Sequence, residues 1–257
     1  MTYACIMKPG AFFAGKTAAL LWKIPVPIDS CAPQLLEVGV ETGAPFPRRT
    51  GVRGRRFSPR LVRTTVRDGL VMLDTPSIWA SLGPTLDLPN RVALGDAIIR
   101  KPRIGGDLGP PQRLAYATLE ELTKVSAQRG RRGKAELFEA LPLLRTGSAS
   151  APESHLRLAL VEADLPEPDL DFDVYDESDW YLGTTECVYS KYKIALEYEG
   201  DHHRTSVKQW NRDLEKQRNY ESAGWIYVRI SAQRLYRERA ALMASIRKHL
   251  CSRGWCS

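Results

Sequence analysis

A chain of 257 residues with 43% hydrophobic and 9% aromatic content is long enough to bury a core in one large domain or two ordinary ones. No apolar run approaches the ~18 residues of a membrane span, and the opening MTYACIMKPGAFFAGKTAALLW lacks the basic region, apolar block and small-residue cleavage site of a secretory leader. A soluble, cytoplasmic protein with no membrane partner is therefore expected.

The formal charge of +7 is unevenly spread. Residues 1–147 hold 22 Lys/Arg against 12 Asp/Glu, a balance of +10, whereas residues 148–257 hold 15 against 18, or −3. A basic half suits a polyanion and an acidic half suits a cation, although uneven surface charge alone produces the same figures. The five cysteines (Cys5, Cys31, Cys187, Cys251, Cys256) have no CxxC spacing and their number is odd, so reduced structural thiols are expected and a zinc site is not.

In chain order, GKTAALLWKIPVP predicts a short helix stopped by proline and LLEVGV a strand. LPNRVALGDAIIRK and ATLEELTKVSAQR predict helices. Two basic runs, PRRTGVRGRRFSPRLVR (47–63) and QRGRRGK (128–134), interleave glycine with arginine. Arg48, Arg49, Arg53, Arg55, Arg56, Arg131 and Arg132 can meet phosphate oxygens bidentately, or can simply form a solvated loop. LLRTGSASAPES (143–154) is small and polar and marks a boundary near residue 148, giving domains 1–147 and 148–257.

Beyond that boundary, PESHLRLALVEADLP predicts a helix and LDFDVYDE a strand with Leu170, Phe172 and Val174 inward. TTECVYS and KYKIALEYE predict a hairpin, residues 205–224 a helix ended by Gly224, WIYVRIS a strand, and AQRLYRERAALMASIRKHL a last helix. The order α, β, β, β, α, β, α predicts a mixed sheet flanked by helices, an α/β or α+β fold.

The chemistry centres on YKIALEYEGDHHR (192–204). Strand alternation puts Lys193, Ala195, Glu197 and Glu199 on one face, and a turn at Lys191 and Tyr192 would set Glu186 across from Glu197 with Cβ atoms ~5 Å apart. Three carboxylates so close repel one another unless a cation intervenes. Oxygen-only ligands suit Mg²⁺ or Mn²⁺, which polarise phosphodiesters and activate water. Pairing of the same glutamates with Lys193, Lys216 or arginines accounts for the pattern equally well. His203, with His202 beside it, is a candidate to activate water or protonate a leaving oxygen, or a structural histidine at a strand end. Asp213 and Lys216 have the spacing of a helical surface pair. Trp210 and Trp225 read as core in preference to base-stacking platforms.

Residues 153–235, through ESHLRLALVEADLPEP, TECVYSKYKIALEYEGDHHR, RDLEK and GWIYVRIS, resemble the endonuclease-domain family related to the very-short-patch-repair endonucleases, a branch of the PD-(D/E)xK superfamily. The resemblance implies a restriction-endonuclease-like core and metal-dependent DNA cleavage. It further implies metal ligands at Glu186, Glu197 and Glu199, joined by the first-helix acid Glu153, a histidine at His203, and support from His202, Asp213, Lys216 and Arg229. Glu186 and Glu199 stand where that branch carries aspartate, each a methylene longer, which puts turnover in question. In the first half, TAALLWKIPVP, RRTGVRGRR, DTPSIWASLG and VALGDAIIRK resemble an AbiEi-type antitoxin-like region. The expected function is a Mg²⁺- or Mn²⁺-dependent DNA endonuclease of repair or phage defence. Its rivals are a non-catalytic DNA-binding regulator with a degenerate nuclease fold and a protein-interaction module. A homodimer would suit a double-strand break.

Overall fold

The computed structural model describes residues 3–27, 35–102, 114–200 and 207–256, with the backbone alone over 207–213. The protein is mixed α/β and divides into two compact units: Met1–Arg100 with Ala115–Thr146, and Gly147–Ser257 with Lys101–Leu114.

In the first unit, β1 (Ala11–Phe13) leads into α1 (Gly15–Leu21), followed by β2 (Leu36–Glu41), β3 (Val52–Phe57), β4 (Thr64–Arg67) and β5 (Leu70–Leu73). The sheet order is β3-β2-β1-β5-β4. β1 runs antiparallel to β2 and parallel to β5, and β2 runs parallel to β3. The helices are α2 (Thr75–Leu82), α3 (Leu88–Ile99), α4 (Leu119–Ala127) and α5 (Lys134–Ala140). Their starts follow from local chemistry. Asp74 and Asp87 cap α2 and α3 by accepting from Ser77 and Asn90 N–H, and Thr118 with Glu121 closes a capping box on α4. Phe13, Val38, Met72, Trp79, Leu94 and Leu122 are fully buried, and the Trp79 indole N–H donates to Ser126 Oγ at 3.0 Å.

The first basic run therefore contains an edge strand, β3, and the second leads into α5. Propensity conceals both, because arginine-rich stretches lack apolar alternation. β1, β4 and β5 are only three or four residues long, too short for a periodic signal.

The second unit runs α6 (Ala151–Glu162), β6 (Asp169–Tyr175), β7 (Tyr181–Tyr189), β8 (Ile194–Glu199), α7 (Val207–Ser222), β9 (Ile226–Ser231), α8 (Ala232–Tyr236) and α9 (Arg239–Ser252). Its sheet order is β6-β7-β8-β9, an antiparallel meander of three strands with β9 added parallel to β8 after the α7 crossover. The last helical segment is two helices, since the chain breaks at Arg237 and Glu238.

Two apolar clusters sandwich this sheet. One joins Leu156 and Leu160 of α6, Cys187, Ile194, Leu196 and Ile230 of the strands, and Leu242, Ile246 and Leu250 of α9. The other joins Val174, Val188 and Ala195 with Tyr220 of α7 and Trp225. The simple alternation expected of β6 is interrupted: Leu170 packs on the first cluster, whereas Phe172 and Val174 belong to the second. Asp171, at φ 50°, provides the switch, and no pairing joins it to Glu186 across the ladder. Among the described residues no helix is long and apolar enough to cross a membrane, and Cys5, Cys187, Cys251 and Cys256 are free thiols.

Candidate active site

The β7–β8 ladder pairs Tyr189 with Ile194, Val188 with Ala195 and Cys187 with Leu196, then stops. One step further in this register brings Glu186 and Glu197 opposite each other. Here the strands part, and the Tyr198 N–H donates at 2.8 Å to the Glu186 carboxylate instead of to β7 backbone. A side chain thus fills a missing rung.

Burial, then the charges of Glu153 and Glu197, push the Glu186 carboxyl up from 4.5 to about 9, against the opposing pull of the Tyr198 N–H and Lys216. Glu153 itself is buried because it sits in the first turn of α6, where its carboxylate accepts the Ala149 N–H at 2.6 Å while its own N–H donates to Ser150 Oγ. Burial and the neighbouring Glu153 and Glu186 also push the Cys187 thiol up, which leaves it a poor nucleophile.

Lys216 enters from α7. Its Nζ lies 2.7 and 2.8 Å from the two Glu197 oxygens and donates to the Thr184 carbonyl at 2.8 Å. It also stands 5.7 Å from the Tyr220 ring centroid and 5.9 Å from that of Tyr227. Tyr220 is anchored by its hydroxyl, which donates to the Gly183 carbonyl and pairs with Thr185 Oγ1, each at 2.9 Å. Glu199 shares the Glu197 face and is taken by Arg229, whose guanidinium donates to it. The structure therefore places Glu153, Glu186, Glu197 and Lys216 in one electrostatic neighbourhood and pairs Glu199 with Arg229. Lys193, at φ 48° in the turn, pairs instead with Glu177, and Trp225 is core. His202 and His203 lie outside the described residues, as do the side chains of Asp213 and Trp210.

Read from the sequence, Lys216 is both a candidate partner of the strand glutamates and a support, and the Tyr198 N–H goes unnoticed. The signal for Lys216 is its spacing from Tyr220, one helical turn on, which puts both on the inward face of α7.

Among the described residues no group of three or more His, Cys, Asp or Glu side chains is arranged to hold a metal. Glu186 and Glu197 nevertheless have the donor chemistry for a hard divalent cation, carboxylate oxygens alone and partly desolvated, although Lys216 is already paired with Glu197. Glu199, turned to Arg229, does not complete that set.

The basic residues of the first unit sort into two kinds. Arg53 and Arg55 lie 3.9 and 3.5 Å from the buried Glu37 carboxylate. Arg131 donates to the carbonyls of Val125 and Leu61 and to the Gln128 side chain. Arg55 and Arg131 are tied into the fold, whereas Arg53, its side chain 60% exposed, only approaches Glu37. Arg48, Arg49, Arg56 and Arg132 are exposed, with Arg56 stacked 5.4 Å over Phe46. The run from Gly10 to Thr17 has the spacing of a phosphate-binding loop, but its middle forms β1 and Glu37 Oε2 lies 1.5 Å from where a Cβ on Gly15 would be. A carboxylate packs directly on Gly15, and the Lys16 ammonium donates to the Pro27 carbonyl at 2.7 Å.

No family model matches the chain, and no solved structure matches it. Two relatives from Mycobacterium tuberculosis do: the uncharacterized protein MT2308 of strain CDC 1551 / Oshkosh and the uncharacterized protein Rv2248 of strain ATCC 25618 / H37Rv. Each is 27% identical over 228 residues, covering 86% of this chain and 75% of the relative. The likeness thus extends across both units.

Proposed function

We propose that the chain is a metal-dependent DNA endonuclease whose second unit is a restriction-endonuclease-like core. The observation that carries this reading is the meeting of Glu186 and Glu197 where β7 and β8 part, with Lys216 on Glu197 and Glu153 behind Glu186. The α-β-β-β-α-β order, a meander with one parallel strand added, supports the core assignment, and the resemblance of residues 153–235 supports the reaction class.

In this reading Glu186 and Glu197 would hold Mg²⁺ or Mn²⁺, which polarises the scissile phosphodiester and acidifies the attacking water. Lys216 orients the Glu197 carboxylate and places an ammonium where phosphate charge develops. Glu186 would have to give up its proton to solvent before its carboxylate could take up the ion, since burial favours the neutral acid. The exposed arginines Arg48, Arg49, Arg56 and Arg132 grip phosphates without reading sequence.

The test is conversion of supercoiled plasmid by the purified chain in Mg²⁺, Mn²⁺ or EDTA, beside Glu197→Ala and Lys216→Ala. Nicking that needs metal and disappears in both variants is the expected result. A second reading, a DNA-binding regulator on a degenerate nuclease fold, is favoured by one observation: Glu197 and Glu199 are each already matched by a cation, Lys216 and Arg229. Salt-sensitive binding of plasmid, unaltered by EDTA and without cleavage, would select it.

A further inference from the structure

The second unit holds a groove of about 580 Å³ that the acid cluster does not use, a volume within the range of small-ligand sites. Its lining includes Trp180, Leu182, Lys193, Asn219, Ser222 and Arg253. We infer that this groove is a nucleotide-binding subsite, in which an unpaired base stacks on Trp180 and its phosphate meets Lys193 and Arg253. The choice of ligand rests on the nucleic-acid reading above; the groove itself stands on the following observations.

Trp180 is 71% exposed, a large aromatic side chain left in water. Its backbone, however, is held in place: the Trp180 carbonyl accepts from Asp176 N–H at 3.0 Å, and its N–H donates to Asp176 Oδ1 at 2.9 Å. An exposed aromatic on a pinned backbone loses little entropy on stacking. Leu182 and Ala223 supply an apolar floor, and the Asn219 amide and Ser222 hydroxyl supply donors and acceptors suited to a base edge.

Two carboxylates and two cations line the groove, and the cations keep capacity for an anion. Asp176 spends Oδ1 on the N–H groups of Ser178 and Trp180, and the Glu177 side chain is 90% exposed. Lys193 is only loosely engaged, 3.6 Å from Glu177, and Arg253 commits one nitrogen to the Gly224 carbonyl, keeping its other N–H donors. The groove shares its scaffold with the acid cluster. Lys193 immediately precedes β8, which carries Glu197, and Asn219 lies one turn beyond Lys216 on α7.

The test is a titration of tryptophan fluorescence in the full chain, in EDTA and at salt high enough to suppress binding through phosphate alone. The ligands are thymidine 5′-monophosphate, a short oligothymidylate and an oligolysine peptide. Quenching by the monophosphate or the oligomer is expected, lost in Trp180→Phe. Binding of the labelled oligomer by anisotropy should weaken about tenfold or more in Trp180→Ala, the loss of one base stack, with partial rescue in Trp180→Phe. Lys193→Ala with Arg253→Ala should weaken it as well. Quenching by the monophosphate alone identifies a free nucleotide as the natural ligand; tighter quenching by the oligomer identifies a single strand. No quenching by either, quenching that survives in Trp180→Phe, or quenching by oligolysine instead would overturn the inference. Plasmid nicking, scored in parallel, separates the readings: nicking without quenching removes the groove and keeps the nuclease, and quenching without nicking does the reverse.

Discussion

At neutral pH the Glu186 carboxyl keeps its proton in the folded chain and loses it in the unfolded one. The folded value, about 9, lies above the ordinary 4.5, so between these pH values the folded chain binds the extra proton. The associated stability is fully present below about 4.5 and declines as pH rises towards 9. Glu186→Gln, neutral at every pH, should flatten that decline. Thermal melts at pH 5.5 and 8.5 should show a fall for the native chain on the order of 5 °C larger than for the variant. Lys216 belongs to the same residue-scale argument. Its side chain and that of Glu197 are 21% and 24% exposed, so Lys216→Met strands a half-buried carboxylate and should cost about 1–3 kcal/mol in urea unfolding. Glu197→Gln added to Lys216→Met should recover part of that cost, and simple additivity would refute the coupling.

At the scale of elements, the seating of α7 on β7 depends on Gly183. It adopts φ +145°, and a Cβ there would lie 3.2 Å from Lys216 Cε and 3.3 Å from the Tyr220 hydroxyl. Gly183→Ala should therefore destabilise the second unit by about 1–3 kcal/mol and displace Lys216 from Glu197, read by loss of the coupling just described. The elements also show what the sequence could reveal. Strands with clean alternation, such as β8 and β9, and helices with a cap and an apolar stripe, such as α3, α4 and α6, are legible because local pattern and tertiary burial agree. The face switch at Asp171 is not legible, since a single left-handed residue leaves no periodic trace. Pairing of a strand glutamate with an arginine is foreseen, but not that Glu199 takes Arg229, from a strand thirty residues away. The Glu186–Glu197 apposition is readable because the turn at Ser190–Tyr192 lets one count back along both strands.

For the whole molecule, the +10 balance of residues 1–147 overstates what can reach a polyanion. Glu37 draws on Arg55 while Arg53 stays largely exposed, and Arg131 is tied to carbonyls. Replacing Arg48, Arg49, Arg56 and Arg132 by alanine should lower the salt dependence of DNA binding by up to about 0.9 for each phosphate no longer neutralised and leave the melting temperature within about 2 °C. Arg131→Ala should do the opposite, lowering the melting temperature by removing its donors to the Leu61 and Val125 carbonyls and the Gln128 side chain, while hardly changing the salt slope. Composition shows the net charge of a segment; only the folded chain shows which charges are spent.

The missing rung between β7 and β8 has a practical use. Because the Tyr198 N–H ends on a carboxylate and not on a carbonyl, its proton resonance is a built-in meter of the charge on Glu186. In a nitrogen-15 labelled sample, a titration of that one amide reads the ionisation of the buried acid directly, and anything drawn to Glu186 announces itself there before any reaction product has formed.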